Sequence, residues 1–233
     1  TVYHIGAQGF SSRDWIGTFY PPKTQPADYL ELYARILDSV EMNTTFYAIP
    51  TPDRVASWAE RTPEAFCFTA KLPKAITHEK QLVDAEQELR YYCRSMRAFG
   101  GKLGAAVIQL PPSFSREFQG DLEAFLPLLP DDIRFAVEFR HRSWQSPEVL
   151  DLLRNYNVAW CMNDWRDVSS MREATPDLTY LRLNGYHERF RTLGKVQADM
   201  SDDLASWAET LLAMGDQIKH AHVYVNNHYA GHA

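Results

Sequence analysis

No uninterrupted apolar stretch in these 233 residues approaches the roughly 18 that a helix needs to cross a bilayer, so a helical membrane protein is not expected. Cysteine is scarce. Cys67, Cys93 and Cys161 are odd in number, widely spaced and without a CxxC pair, which argues against a disulfide frame or a zinc knuckle. They fit reduced thiols in a cytoplasmic protein, and Cys67 and Cys161 fall in strand-like runs where buried, inert thiols are the expectation. Basic excess is missing too: 24 Lys and Arg stand against 30 Asp and Glu, a net charge of −6, with a pI near 5.7. A protein that neutralises many phosphates needs the opposite balance, so no long nucleic acid is expected as a partner. There is no glycine-rich phosphate turn after the first strand-like run, which weakens a dinucleotide fold. Neither GxSxG nor HExxH occurs, so an activated-serine hydrolase and a zincin lack their signatures. The chain enters a strand-like segment at once (Val2 to Gly6), and no leader peptide is expected.

What is present is a substantial apolar content, 45% with 13% aromatic, arranged periodically. Short runs alternate greasy and polar: Val40-Glu41-Met42-Asn43, Phe68-Thr69-Ala70-Lys71, Ile108-Gln109-Leu110, Val137-Glu138-Phe139-Arg140, Leu181-Arg182-Leu183-Asn184. Side chains in a strand point alternately to opposite faces, so the polar phase of each run shares one side. Strands are expected at Tyr3–Ala7, Ser39–Thr45, Phe66–Leu72, Ala105–Leu110, Phe135–Arg140, Val158–Asn163, Thr179–Leu183 and Ala221–Asn226. Helical stripes lie between them: Leu30, Tyr33, Ala34, Leu37; Leu122, Phe125, Leu126, Leu129; and Leu204, Trp207, Ala208, Leu211, Leu212. Thr51-Pro52 and Ser146-Pro147 mark helix starts, and the longest helix is expected over Glu79 to Phe99, ended by Gly100-Gly101. The connection from Asp164 to Asp177 shows no amphipathic helix.

Alternating strands and helices imply a parallel sheet. A doubly wound sheet would bury both faces of its central strands and make them uniformly apolar, whereas these alternate. A single α/β domain over 1–233, a (β/α)8 TIM-type barrel, explains the pattern better. The eighth helix, which would cover the last seam, is expected to be missing or truncated, since the chain stops shortly after the eighth run.

In such a barrel the polar phase converges on one mouth, giving His4, Gly6 and Gln8; Glu41 and Asn43; Thr69 and Lys71; Gln109; Glu138 and Arg140; Asn163; Arg182 and Asn184; Tyr224 and Asn226. Five carry charge: Glu41, Lys71, Glu138, Arg140 and Arg182. Buried charges must pair with one another or with a ligand, and three cations against two carboxylates favour an anionic ligand. Glu138 is the candidate general acid/base, on the expectation that half-burial raises its pKa; Lys71 and Glu41 complete the catalytic set. Arg140 and Arg182 are the oxyanion holders. Aromatic residues follow the strands (Trp15, Phe46, Tyr47, Trp144, Trp165, Tyr186) and suit a ring-shaped ligand, although for any one ring packing of the loop onto the barrel rim is the favoured reading. Asn43, Gln109, His141, Asn163, Asn184, Asn226 and His228 complete the candidate ligand-binding set.

The segments WIGTFYPP, VEMNTTFYAIP, KLPKAITH, VIQLPPSF, VEFRHRSW, YLRLNG and VYVNNHYAGHA, in that order along nearly the whole chain, resemble the YecE-like family of bacterial and archaeal proteins, a domain of unknown function. The resemblance implies a TIM-barrel-like fold and a last motif that leads into a further helix. It supplies no reaction, substrate or cofactor. Its recurrent positions fall on Trp15, Glu41, Asn43, Lys71, Gln109, Glu138, Arg140, His141, Trp144, Arg182, Asn226 and His228, and it departs at Asn184, where the family often has histidine.

Three functions follow. The first is an enzyme acting on a small polar or anionic, ring-bearing metabolite; it expects an open mouth with Glu138 facing solvent. The second is a non-catalytic binder of a small ligand or a nucleic-acid end, whose carboxylates are all paired with arginines. The third is a divalent-metal enzyme drawing on Glu138, His141, Asp164 or His228, although no cofactor is required by the sequence.

Overall fold

The computed structural model describes residues 1–165, 170–185 and 198–226. Among the described residues eight strands alternate with helices in chain order except between β6 and β7: β1 (Val2–Ala7), α1 (Tyr29–Tyr33), β2 (Ser39–Met42), α2 (Pro52–Glu60), β3 (Cys67–Lys71), α3 (Glu86–Met96), β4 (Leu103–Gln109), α4 (Gln119–Phe125), β5 (Phe135–Glu138), α5 (Pro147–Asn155), β6 (Val158–Asn163), β7 (Leu178–Leu183), α6 (Ser201–Met214) and β8 (His220–Val225). Every strand pairs in parallel with its sequence neighbour, and β8 returns to β1 in register from Val2–His220 to Ala7–Val225, closing the barrel. The alternation seen in the sequence therefore has the barrel wall as its cause. No helix is long and apolar enough to cross a membrane among the described residues.

The wall separates two cores. Outside it, the greasy phase (Val40, Phe68, Ile108, Val137, Leu181) packs under Leu30, Val55, Leu89, Leu122 and Leu150 of the helices, all of them buried. Inside it lies a smaller cluster of Ala105, Val107, Ala136, Ala159, Cys161, Leu178, Tyr180 and Tyr224. Its division of labour is steric: β4, β5 and β6 contribute small side chains, and the rings of Tyr180 and Tyr224 from β7 and β8 reach across to fill the space. Their hydroxyls do not remain unsatisfied. Tyr224 meets Ser39 Oγ at 2.6 Å, and Tyr180 meets Thr69 Oγ1 at 2.8 Å.

Two local signals act as expected. Thr51 caps α2, its Oγ1 accepting from Arg54 N, with Pro52 as the first helical residue. Pro147 opens α5, although the hydroxyl of Ser146 accepts from Arg116 Nη1 at 2.9 Å instead of capping. The single helix expected over Glu79 to Phe99 is a correction. Ala75–Glu79 forms a π-turn, Gln81, Leu82 and Asp84 take positive φ, and α3 spans only Glu86–Met96. The break brings Leu82 into the core at 3% exposure, a burial that a continuous helix would forgo. On α6 the buried face is Trp207, Leu211 and Met214, whereas Leu204 and Leu212 are exposed. Residues 170–177 of the sixth crossover carry no helix, in line with expectation. The expectation about an eighth helix lies outside the described residues.

Candidate functional site

Because Gln109 pairs with Glu138, and Asn163 with Arg182, across neighbouring strands, the inward phase delivers its polar groups to one level at the C-terminal end of the barrel. Lys71 and Glu138 are the last residues of β3 and β5, Glu41 and Arg182 the penultimate ones of β2 and β7, and Arg140 follows just past β5. Arg182 is the hub. Its Nε and Nη2 donate to Glu41 at 3.0 and 2.9 Å, its Nη1 donates to Glu138 Oε2, and Nη2 also reaches Gln8 Oε1 at 3.1 Å. Glu41 further accepts the Tyr180 hydroxyl at 2.7 Å, so that tyrosine takes its own hydrogen bond from Thr69. Glu138 is saturated: besides Arg182 it accepts from Gln109 Nε2 at 2.8 Å, Arg140 Nε at 3.2 Å and the Trp165 indole at 3.3 Å. Both carboxylates are wholly buried.

This reverses the expectation for Glu138. It does not face solvent, and its pKa does not rise. Burial alone would push the carboxyl up, but the charges of Arg182 and Arg140, the Gln109 hydrogen bond and the Lys71 charge together hold it down at about 2. Such a carboxylate has no proton to donate near neutral pH and little tendency to accept one.

Lys71 behaves differently. Its Nζ donates to the neutral Oε1 of Gln109 at 2.7 Å and lies 4.4 Å over the Phe46 ring; among the described residues no carboxylate is within ion-pair reach of it. Burial, then the neighbouring Arg182 charge, lowers its pKa to about 8 against the opposing pull of Glu41 and Glu138. Lys71 is thus shifted toward its neutral form, whereas Glu138 and Arg182 are shifted toward their charged forms. His78 packs edge-on to Phe46, with ring centroids 5.0 Å apart, and burial followed by the Lys71 and Arg140 charges lowers its pKa. Arg140 lies 4.8 Å over the Trp165 ring, with a quarter of its side chain exposed. Buried Asn43 Oδ1 and Asn163 Nδ2 have no hydrogen-bond partner among the described residues.

The remaining expected members are engaged by the protein itself, some away from the charged group and some at its edge. Trp144 is fully buried, stacked with Phe114 and Phe139, with its indole N–H donating to Phe114 O at 2.7 Å, so it packs the loop onto the wall. Trp15 is buried with Phe19 and Tyr20. His141 Nδ1 meets Ser143 Oγ at 2.7 Å on the surface turn. Asn184 accepts from Gln8 at 3.1 Å and Asn226 N donates to Leu183 O at 2.7 Å, both at the mouth. Asp164 is occupied by the backbone amides of Asn184 and Gly185. His228 and Tyr186 lie outside the described residues.

The sequence reading passed over Tyr180 and His78, and named Phe46 as one of the loop aromatics without connecting it to Lys71. Tyr180 shares the inward phase of Arg182 but counts as greasy. KLPKAITH carries His78 seven residues after Lys71, a separation that the π-turn brings back to the site. At the opposite end of the barrel, His4, Cys67 and His222 place their donor atoms within 4.8 Å of one another, the one such group with metal-ligand chemistry among the described residues. The His220-Ala221-His222 spacing is the sequence signal for it.

A closed parallel barrel with a charged, hydrogen-bonded mouth defines a TIM-type barrel protein. Residues 4–233 match the family described as "Protein of unknown function DUF72", and the chain belongs to it. UPF0759 protein YunF of Bacillus subtilis is 26% identical over 261 aligned positions, covering 100% of this chain and 91% of that protein. UPF0759 protein YecE of Escherichia coli is 36% identical over 112 residues, 48% of this chain and 41% of YecE, so that match spans less than half of either protein. Among solved structures, a DUF72 family protein from Thermotoga maritima superposes with TM-score 0.84 at 27% identity, over 97% of this chain and 93% of that one. A D-psicose 3-epimerase superposes with TM-score 0.56 at 14% identity, over 96% and 84%, a likeness of fold alone.

Proposed function

We propose that the C-terminal mouth of the barrel binds a small anionic metabolite bearing hydroxyl groups, and that the protein is an enzyme in which Lys71 moves the proton. The observation that carries this reading is the partnership of Lys71. Both carboxylates of the site are engaged with Arg182, and Glu138 with Arg140 as well, so among the described residues the uncompensated positive charge rests on an amine held by a neutral amide and an aromatic ring. A carboxylate or phosphate on the ligand supplies the missing negative charge. The amide atoms of Asn43 and Asn163 that have no partner among the described residues, one acceptor and one donor, suit hydroxyls on the same molecule. An amine whose pKa is lowered to about 8 gives up its proton more readily than an ordinary lysine, and the ligand's anion holds it in the protonated form, so the role that fits Lys71 is general acid. Glu138 then orients Arg182 and Arg140 in place of the acid/base role expected of it.

The pairing of both carboxylates also favours a second reading, a binder without chemistry, because among the described residues no carboxylate base is left over in this group. Thermal shift of wild type and Lys71→Met against phosphorylated and carboxylated sugars and their neutral parents, followed by NMR of any stabilising compound, separates these. The expected result is stabilisation by anions alone, lost in Lys71→Met, with turnover by wild type. Stabilisation without turnover supports the binder. Equal stabilisation by neutral sugars, or anion binding retained in Lys71→Met, overturns both.

A further inference from the structure

We propose that His4, Cys67 and His222 form a zinc site in the floor of the barrel, at the end away from the mouth. Three strands supply it: His4 from β1, Cys67 from the first position of β3 and His222 from β8. His4 and His222 are register partners across the seam that closes the barrel, with ring centroids 4.9 Å apart. Cys67 Sγ meets His222 Nδ1 at 3.9 Å, and all three donor atoms lie within 4.8 Å of one another. Zinc bonds of about 2.0–2.1 Å to nitrogen and about 2.3 Å to sulfur put neighbouring ligands of a tetrahedral site about 3.4–3.6 Å apart. The Cys67–His222 pair is close to that already, and the widest pair must close by roughly 1 Å, a movement within side-chain rotation.

Independent of those distances, the backbone makes room for this group. A Cβ on Gly104 of β4 would stand 2.4 Å from His222 Cε1 and 2.5 Å from Cys67 Sγ, so the imidazole and the thiol occupy a space that only glycine leaves open. Cys67 and His222 are 6% and 1% exposed, while His4 is half-buried and His220 lies outermost, its Nδ1 3.4 Å from His4 Nε2. His220 thus stands as an entry residue and a candidate fourth ligand, with water as the alternative.

The donor set, two imidazoles and one thiol, selects a borderline-soft cation, in contrast to magnesium or calcium, which take oxygen. On binding, the Cys67 S–H bond breaks, its electron pair forms the Zn–S bond and the proton passes to solvent. Zinc and the thiolate leave one positive charge. Asp38, whose charge reaches both His4 and Cys67, balances it, while Arg134, whose charge reaches His222, is already paired with Asp177. The metal would tie β1 to β8 and β3, a structural role at the barrel's closing seam, separate from the reaction proposed for the mouth.

Cobalt(II) tests this on the whole chain, stripped of metal with chelator and then titrated. One equivalent is expected to bind with a thiolate-to-cobalt charge-transfer band in the near ultraviolet and the intense visible bands of four-coordinate cobalt, both abolished by added zinc. Cys67→Ser should lose the charge-transfer band and weaken zinc binding by more than about 100-fold, beyond the range typical of outer-sphere partners. His4→Asn, at a half-buried position, provides the same readout should Cys67→Ser fail to fold, and is expected to weaken zinc binding as well. Absence of stoichiometric cobalt binding, a charge-transfer band that survives in Cys67→Ser, or unchanged zinc affinity in His4→Asn overturns the proposal.

Discussion

Arg182 lies between Glu41 and Glu138 and holds both, giving Nε and Nη2 to the first and Nη1 to the second. All three side chains are buried, at 3%, 0% and 0% exposure. Two carboxylates so placed exclude each other unless a cation separates them, so the arginine is a structural condition of the mouth. Replacing it by the similarly long but neutral Met leaves two buried negative charges. Arg182→Met should cost about 3–5 kcal/mol in urea unfolding, the range for breaking a buried pair from one side. A loss below about 1 kcal/mol would mean that water enters the mouth and screens the carboxylates.

Acid should unfold the protein partly through Glu138. Its folded pKa is about 2 against an ordinary value of 4.5, so the unfolded chain takes up the proton first as pH falls. The stabilisation from the ionised carboxylate is complete above about pH 4.5 and disappears as pH drops toward 2, amounting to about 3 kcal/mol. Glu138→Gln removes that dependence. Urea midpoints of wild type and variant, measured from pH 6 to pH 2.5, should converge as pH falls, and parallel curves would show that Glu138 is not the group responsible.

Lys71 carries the opposite linkage. A lysine lowered from 10.5 to about 8 destabilises the fold while protonated, fully below about pH 8, and the penalty is relieved as pH rises from there to 10.5. Lys71→Met should therefore stabilise the protein at pH 7 by about 1–3 kcal/mol, read as a higher urea midpoint, while removing anion binding. In wild type, affinity for an anion should decline as pH rises above about 8, and in Lys71→Met that decline should be gone.

The barrel was legible because its cause is periodic. Alternation in β2, β3, β4, β5 and β7 reports a wall with one apolar and one polar side, and the polar phase named Glu41, Lys71, Glu138, Arg140 and Arg182 as neighbours before any coordinates. What each does was not legible. Whether burial raises or lowers the Glu138 pKa depends on distances to Arg182, Arg140 and Gln109, which strand order does not give. Trp144 follows β5 as a ligand-wall residue would, yet it is fully buried and stacked with Phe114 and Phe139. The helix over Glu79 to Phe99 failed for a related reason: nothing local announces that Leu82 gains more from the core than from continuing a helix.

Gly6 offers a test of barrel closure that does not involve the mouth. In β1 it pairs with Ser39 of β2, the strand pair with two register positions, Gly6–Ser39 and Ala7–Val40. A Cβ at Gly6 would lie 1.9 Å from Ser39 O, and 3.1 Å from the Tyr33 hydroxyl, which donates to that same carbonyl at 2.8 Å and accepts from Ala7 N at 2.7 Å. The obstruction is backbone, so it cannot be relieved by turning a side chain; β1 must move away from β2 and break the Tyr33 bridge between them. Gly6→Ala should thus cost about 1–3 kcal/mol from overpacking and more if the bridge is lost, read as a lower urea midpoint. Amide hydrogen exchange should quicken at Ala7, whose N–H depends on Tyr33, while Ala105 to Ile108 of β4 across the barrel keep their protection. Uniform acceleration around the ring would instead show that the eight strands open only as one unit.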